Sequence, residues 1–282
     1  MRRKCCLALS LLIAVLPLLS CMPDAVPSSG ITDATNANRA GTITLNVFAA
    51  ASLTDAFSEI GENFSAANSG TAVVFNFAGS NQLATQIGQG APADIFASAN
   101  ETQMNAAIDS GRIISGTQRT FVRNRLVVIT PRDNPANLTA LQDLAIPGVK
   151  VVFAAAEVPV GQYTLAFLDK ADADATLGSG YKDAVLANVV SYEQNVRAVL
   201  TKISLGEADA GVVYTSDVGV TANSVIQIEI PDPLNTIAGY PIAPLADSAH
   251  PDIAQRFMDY VLAPDGQQVL ARYGFIPITG EE

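Results

Sequence analysis

Two serines stand where a run of small residues gives way to a helical pattern: Ser52 follows Ala49-Ala50-Ala51, and Ser80 follows Ala78-Gly79. At such a junction free backbone N–H groups and the positive end of the helix dipole point outward, so the spot favours an anion and the hydroxyl adds one more donor. The same serines could simply cap their own helices, the commonest use of Ser there. Gly79 would let a ligand approach the backbone closely, although a tight turn uses glycine equally well. Asp94, in APADIF (residues 91–96), reads more readily as a local hydrogen-bond acceptor at a strand start than as a base. His250, beside Pro251 and Asp252, reads as a helix boundary with no chemical role.

Other chemistries are excluded. Gly88-Gln89-Gly90 lacks a third glycine and precedes a strand, so it is no dinucleotide loop, and no GxxxxGK[ST], HExxH or GxSxG motif occurs. One His in 282 residues rules out catalysis resting on several histidines. With 16 Lys+Arg against 27 Asp+Glu the net charge is −11, and no basic stripe exists to meet phosphates, so nucleic acid is not a partner.

The elements that must position the serines alternate. Residues 43–47 form a half-buried strand, and a helix begins at Ser52 with Asp55 as a capping-box-like partner, carrying Leu53, Ala56, Phe57, Ile60 and Phe64 on one face. Strands follow at 73–77, 93–97, 125–130, 149–154, 210–214, 226–230 and 240–245. Helices are expected after Gly79-Ser80, from about 100 to 110, near Val160-Gly161, after Ser191-Tyr192-Glu193 up to Gly206, and at the C-terminal end. Repeated strand-helix-strand order predicts mainly parallel sheets covered by helices, and the length suits two of them. Ligands in such folds lie beyond the carboxyl ends of the strands.

The N-terminus has a different composition. Arg2, Arg3 and Lys4 precede an apolar run at 7–19, too short for the roughly 20 residues of a spanning helix, so residues 1–21 read as a signal peptide. Leu18-Leu19-Ser20-Cys21 resembles a bacterial lipobox, which would make Cys21 a lipidated N-terminus; ordinary cleavage is the alternative. The processed chain would keep 13 basic and 27 acidic residues, a charge of −14, and no thiol besides Cys21. Disulfides, thiolate catalysis and Cys-metal sites then drop out. Residues 22–41, rich in Ser, Thr, Asn, Ala and Pro, read as a flexible linker.

The segments VFAAASL (47–53), FAGSNQLATQI (77–87), GAPADIFASA (90–99), VPVGQY (158–163), QNVRAVL (194–200), GEADAGVVYTSD (206–217) and RYGF (272–275) together resemble the molybdate-binding proteins of bacterial ABC importers, in that family's order and through nearly the whole processed chain. The resemblance implies a two-lobed α/β periplasmic-binding-protein fold of type II that closes on a tetrahedral oxyanion. It implies ligand donors at Ser52 and Ser80 from lobe I, and at Val160, Val196 and Tyr214 from lobe II, the two valines through backbone N–H and the tyrosine through its phenol. Val160 stands where the family often has Ala. Gly79 and Asn81 stand where some members have Ser, which leaves those two positions without hydroxyl donors.

Lobe I is expected from 42–124 plus 239–282 and lobe II from 125–238. A monomer outside the cytoplasm is expected, at the periplasm or cell surface, held to the membrane through Cys21 if the lipobox is used. Its partners would be an ABC permease and ATPase, with no cofactor and with molybdenum bound only as the oxyanion. The donors are neutral, so a dianion would be held by oriented dipoles, each charge-assisted bond contributing about 1.5 to 3 kcal/mol. A protonated ion would leave its own O–H without an acceptor. Tungstate, nearly the size of molybdate, is expected to bind as well. Two alternatives stay open: a binder of another oxyanion such as sulfate or of a small organic solute, and an extracytoplasmic hydrolase.

Overall fold

The computed structural model describes residues 42–219 and 223–278. The expected signal peptide, the linker and Cys21 lie outside them. In chain order the elements are β1 (Ile43–Ala50), α1 (Thr54–Ala67), β2 (Thr71–Ala78), α2 (Ser80–Gly88), β3 (Ile95–Ala97), α3 (Glu101–Asp109), β4 (Arg119–Asn124), β5 (Leu126–Pro131), β6 (Val151–Ala154), α4 (Pro159–Asp172), α5 (Tyr181–Ala187), β7 (Val189–Glu193), α6 (Val196–Ser204), β8 (Ala210–Tyr214), α7 (Thr215–Gly219), β9 (Val225–Glu229), β10 (Ala238–Pro244), α8 (Pro251–Leu262), α9 (Pro264–Arg272) and β11 (Ile276–Pro277).

The strands form two sheets, ordered β11-β4-β10-β3-β1-β2 and β7-β6-β8-β5-β9. In the first, β1 runs parallel to β2 and β3. Leu45 and Val47 face a core with Phe57, Ile60 and Phe64 of α1, while Phe48 faces a second cluster with Leu83 and Ile87 of α2. Both faces are covered, which explains why β1 reads as alternating at its start and as continuously apolar at its end. In the second sheet β6 is parallel to β7 and β8.

The chain passes from the first sheet to the second at Arg125, between β4 and β5, and returns between β9 and β10. Asn235 ties the two passages together: its Oδ1 accepts the Leu126 N–H at 3.1 Å and its Nδ2 donates to the Leu126 carbonyl at 2.9 Å. Strands next to these passages pair antiparallel, β10 with β3 and β4, and β5 with β8 and β9. Both sheets are therefore mixed, more so than strand-helix alternation predicts, because a strand entered from the other lobe needs no helical crossover.

Several local expectations are corrected. The helix expected at Ser52 starts at Thr54, after a 3-10 turn over Ala51–Leu53 whose ends carry no side-chain cap. Ser80 is the first residue of α2 and Gly79 its cap residue. The helix expected after Ser191-Tyr192-Glu193 begins at Val196, those three residues end strand β7, and the sequence pattern shows none of β4, α5, β7, α7 and β11. The C-terminal helical stretch is two helices, broken where Pro264 opens α9. Asp94 accepts from Asn46 N–H at 2.8 Å and Ser248 Oγ–H at 2.6 Å, and His250 stands at the boundary of α8 without a side-chain cap bond, the structural roles read for both.

Candidate functional site

Ser52, Ser80, Val160, Val196 and Tyr214 line one small cavity between the two lobes. The 3-10 turn after β1 brings Ser52, the β2–α2 junction Ser80, the first turns of α4 and α6 the two valines, and the carboxyl end of β8 Tyr214. The remaining lining is small or apolar apart from Asn195, and no charged side chain among the described residues lines the cavity. The space open to the centre of a water molecule is about 10 Å³. Taken as a sphere it has a radius of about 1.3 Å, and adding the 1.4 Å water radius gives a void of about 2.7 Å radius. That is the scale of one small ion.

Each lining donor is prepared by its element. Val160 and Val196 occupy first-turn positions, where backbone N–H groups have no acceptor within the helix. Pro159 presets the first turn of α4, and Gly161 is obligatory because a Cβ there would lie 2.0 Å from the Ala155 carbonyl oxygen. Asn195 caps α6 by accepting the Ala198 N–H at 3.0 Å. Ser80, 1% exposed, accepts the Ala99 N–H at 3.0 Å instead of capping its own helix. Ser52 Oγ lies 2.9 Å from Tyr240 Oη, also without a capping role.

The Tyr214 hydroxyl is buried and makes no hydrogen bond of acceptable geometry among the described residues. Burial first, then nearby Tyr240, pushes its pKa well above the ordinary value, so it stays a protonated donor. The Tyr214 N–H is held at 3.1 Å by Asp217 Oδ2.

The lobes touch around the cavity. Gln82 Nε2 donates to Gln194 Oε1 at 3.0 Å, Asn100 Nδ2 to Gln162 Oε1 at 2.9 Å, and Gln103 Nε2 to the Glu157 carbonyl at 3.2 Å. Arg197, next to Val196, pairs with Asp55 of α1 across the cleft and with Asp217 at 3.1 Å within its own lobe. Sequence reasoning missed Tyr240, Asn100 and this ion triad. An aromatic in an apolar strand reads as core, and contacts between lobes carry no periodic signal.

Two lobes closing on a buried cavity at strand ends and helix starts define a solute-binding protein. Residues 45–276 match the model for bacterial extracellular solute-binding proteins, and the chain belongs to that family. The family works outside the cytoplasm, and no helix among the described residues is long and apolar enough to cross a membrane. A molybdate-binding protein ModA from Mycobacterium tuberculosis is 39% identical over 235 residues, covering 83% of this chain and 85% of that one. The periplasmic molybdate-binding protein of Azotobacter vinelandii superposes with a TM-score of 0.72 at 20% identity, covering 83% of this chain and all of that one (100%). The sulfate-binding protein SubI of Mycobacterium tuberculosis gives 0.75 at 18% identity, covering 84% and 88%. These two structures share the fold, which serves more than one oxyanion.

Proposed function

We propose that the protein captures molybdate, and tungstate with it, outside the cytoplasm and hands it to an ABC permease driven by a cytoplasmic ATPase. The observation that carries this reading is the ion-sized cavity between the lobes, lined by hydroxyl and first-turn N–H donors and by no charged group. Relatives named for molybdate support the choice of ion. Ser52, Ser80, Val160, Val196 and Tyr214 act as the ligand donors, so molybdenum is bound only as its oxyanion and no cofactor is needed. Five oriented donors, at about 1.5 to 3 kcal/mol for each charge-assisted bond, can replace the hydration of a dianion in a dry site.

In this reading lobe I is 42–124 plus 239–282, lobe II is 125–238, and the ligand favours the closed form by bridging them. The protein acts as a monomer, tethered through residues 22–41 to a lipid on Cys21 after removal of the signal peptide. In this reading it binds without turnover: Ser52 meets a phenol and Ser80 a backbone N–H, and neither is paired with a base among the described residues. Calorimetric titration with molybdate, tungstate, sulfate and phosphate tests the ligand, the first two being expected to bind tightly. Strong heat with sulfate and none with molybdate would overturn it.

A further inference from the structure

We propose that Asn124 and Tyr240, on the two strands that flank the chain's passages between the lobes, orient the Ser52 hydroxyl proton into the cavity. They thereby exclude oxyanions that carry an O–H of their own. The proposal rests on reading the cavity as an oxyanion site, and goes beyond it by assigning the direction of the Ser52 hydrogen bond to two residues that do not line the cavity.

The direction follows from a group that can only donate. The Arg125 backbone N–H donates to Asn124 Oδ1 at 3.0 Å, and the Thr215 hydroxyl, which can also donate, lies 3.1 Å from the same oxygen. This fixes which end of the Asn124 amide is oxygen, so Nδ2 points the other way, toward Ser216 Oγ at 2.8 Å and Tyr240 Oη at 3.4 Å. An amide nitrogen has no lone pair to offer, so Tyr240 Oη accepts from it. The Tyr240 proton then goes to Ser52 Oγ at 2.9 Å. In the opposite sense the Tyr240 proton would face an amide N–H, leaving a fully buried phenol with an unmet donor. Tyr214, the other phenol nearby, makes no hydrogen bond of acceptable geometry among the described residues, so its oxygen does not take the Tyr240 proton. Ser52 Oγ is therefore an acceptor toward the protein, and its own proton faces the cavity it lines.

Ser80 ends in the same state by a shorter route, since its oxygen accepts the Ala99 N–H. Both serines thus keep their proton for the cavity, and a serine that spent its remaining lone pair on a ligand O–H would leave that proton unmet. A fully deprotonated tetrahedral ion meets donors at every oxygen, whereas one bearing an O–H finds no acceptor.

Because Asn124 and Tyr240 are positioning residues, the test separates the relay from simple charge or packing effects. Asn124→Asp keeps the shape but puts an acceptor where Nδ2 was. The Tyr240 proton turns to the introduced carboxylate, the Ser52 proton turns to Tyr240, and a lone pair faces the ligand. Molybdate should bind about tenfold to a hundredfold more weakly. The new charge alone would also weaken binding, so the substitution is repeated in a Tyr240→Phe background, where the relay is cut but the charge remains.

The relay requires the Asn124→Asp penalty to shrink by about tenfold or more in that background. Equal penalties in both backgrounds would overturn it. Tyr240→Phe alone gives a second reading that holds even if Asn124→Asp fails to fold. With Ser52 free to rotate, the affinity for monohydrogen arsenate at pH 7.5 should rise several-fold relative to molybdate, and an unchanged ratio would overturn the relay. Wild-type protein that binds none of molybdate, tungstate or sulfate would instead remove the oxyanion reading, and the relay with it.

Discussion

The Tyr214 and Ser80 hydroxyls look alike in the sequence but stand in opposite relations to the fold. Tyr214 Oη makes no hydrogen bond of acceptable geometry among the described residues, so removing it costs the free protein little; Ser80 Oγ satisfies the buried Ala99 N–H. Tyr214→Phe should therefore weaken molybdate binding by about 1 to 3 kcal/mol while leaving the melting temperature of the free protein unchanged or raised. Ser80→Ala should weaken binding and also destabilise the free protein by about 1 to 3 kcal/mol, because a buried donor is left unmet. Paired calorimetry and thermal melts check both; a Tyr214→Phe protein of unchanged affinity would take that hydroxyl out of the site. The strand, small residues and Ser were legible at both junctions, but capping is the commoner use of such a Ser, and Val160, Val196 and Tyr214 came only with the family resemblance. What the oxygens accept was not legible, because Ala99 and Tyr240 reach them from separate parts of the chain.

At the scale of elements, the β2–α2 junction works because Gly79 is bare. A Cβ there would lie 2.5 Å from the Gln194 carbonyl oxygen of the opposite lobe and 2.7 Å from Asn81 Oδ1, the end of a side chain that can turn away once the lobes part, while its own backbone, at φ −59° and ψ 134°, suits any residue. Gly79→Ala should then leave the open protein as stable as before and obstruct closure, lowering affinity by about tenfold or more, since even 1.4 kcal/mol of clash suffices. Small-angle scattering with and without ligand measures closure, and full closure of the variant would sink the idea. Most elements were legible: β1, β6 and β8 as apolar runs, α1 and α6 from residues three and four apart such as Val196, Val199, Leu200 and Ile203. Others were hidden. β7 is an edge strand with no fully buried residue, and β4 begins with exposed Arg119 and Thr120, so neither shows an apolar run. The 3-10 turn at Ala51–Leu53 was misread because Ser52 and Asp55 have capping spacing, while the Ser52 oxygen is engaged by Tyr240.

Across the whole molecule, the two lobes are joined by an ion triad placed directly behind the cavity. Asp55 lies three residues after Ser52, Arg197 one after Val196, and Asp217 holds the Tyr214 N–H. Asp55→Asn should leave the cavity intact and speed ligand release several-fold, read by stopped-flow exchange against excess tungstate; an unchanged rate would remove any role in closure. Burial pushes the Asp217 carboxyl up to about 6, against the pull of Arg197 and of the Tyr214 N–H. With the folded pKa above the unfolded one, the folded protein holds an extra proton between the two. The stability this group contributes is complete below about pH 4 and is lost as pH rises through about 6. Asp217→Asn should flatten that part of the wild-type decline in urea unfolding between pH 4.5 and 7, and an identical slope would contradict it.

The order in which the strands appear has a consequence for how the chain folds. The strands of the second sheet all lie between Leu126 and Glu229, a continuous stretch, and it can complete itself as soon as β9 exists. The first sheet cannot. Ala97 of β3 waits for Ile242 of β10, and Arg123 of β4 waits for Ile276 of β11. Until then the far side of β3 is an open edge, able to pair with the β3 of another chain. Completing the first sheet therefore waits for β10 to pair with β3 and so give β4 its place, a long loop closure that slows folding and lengthens the window for aggregation.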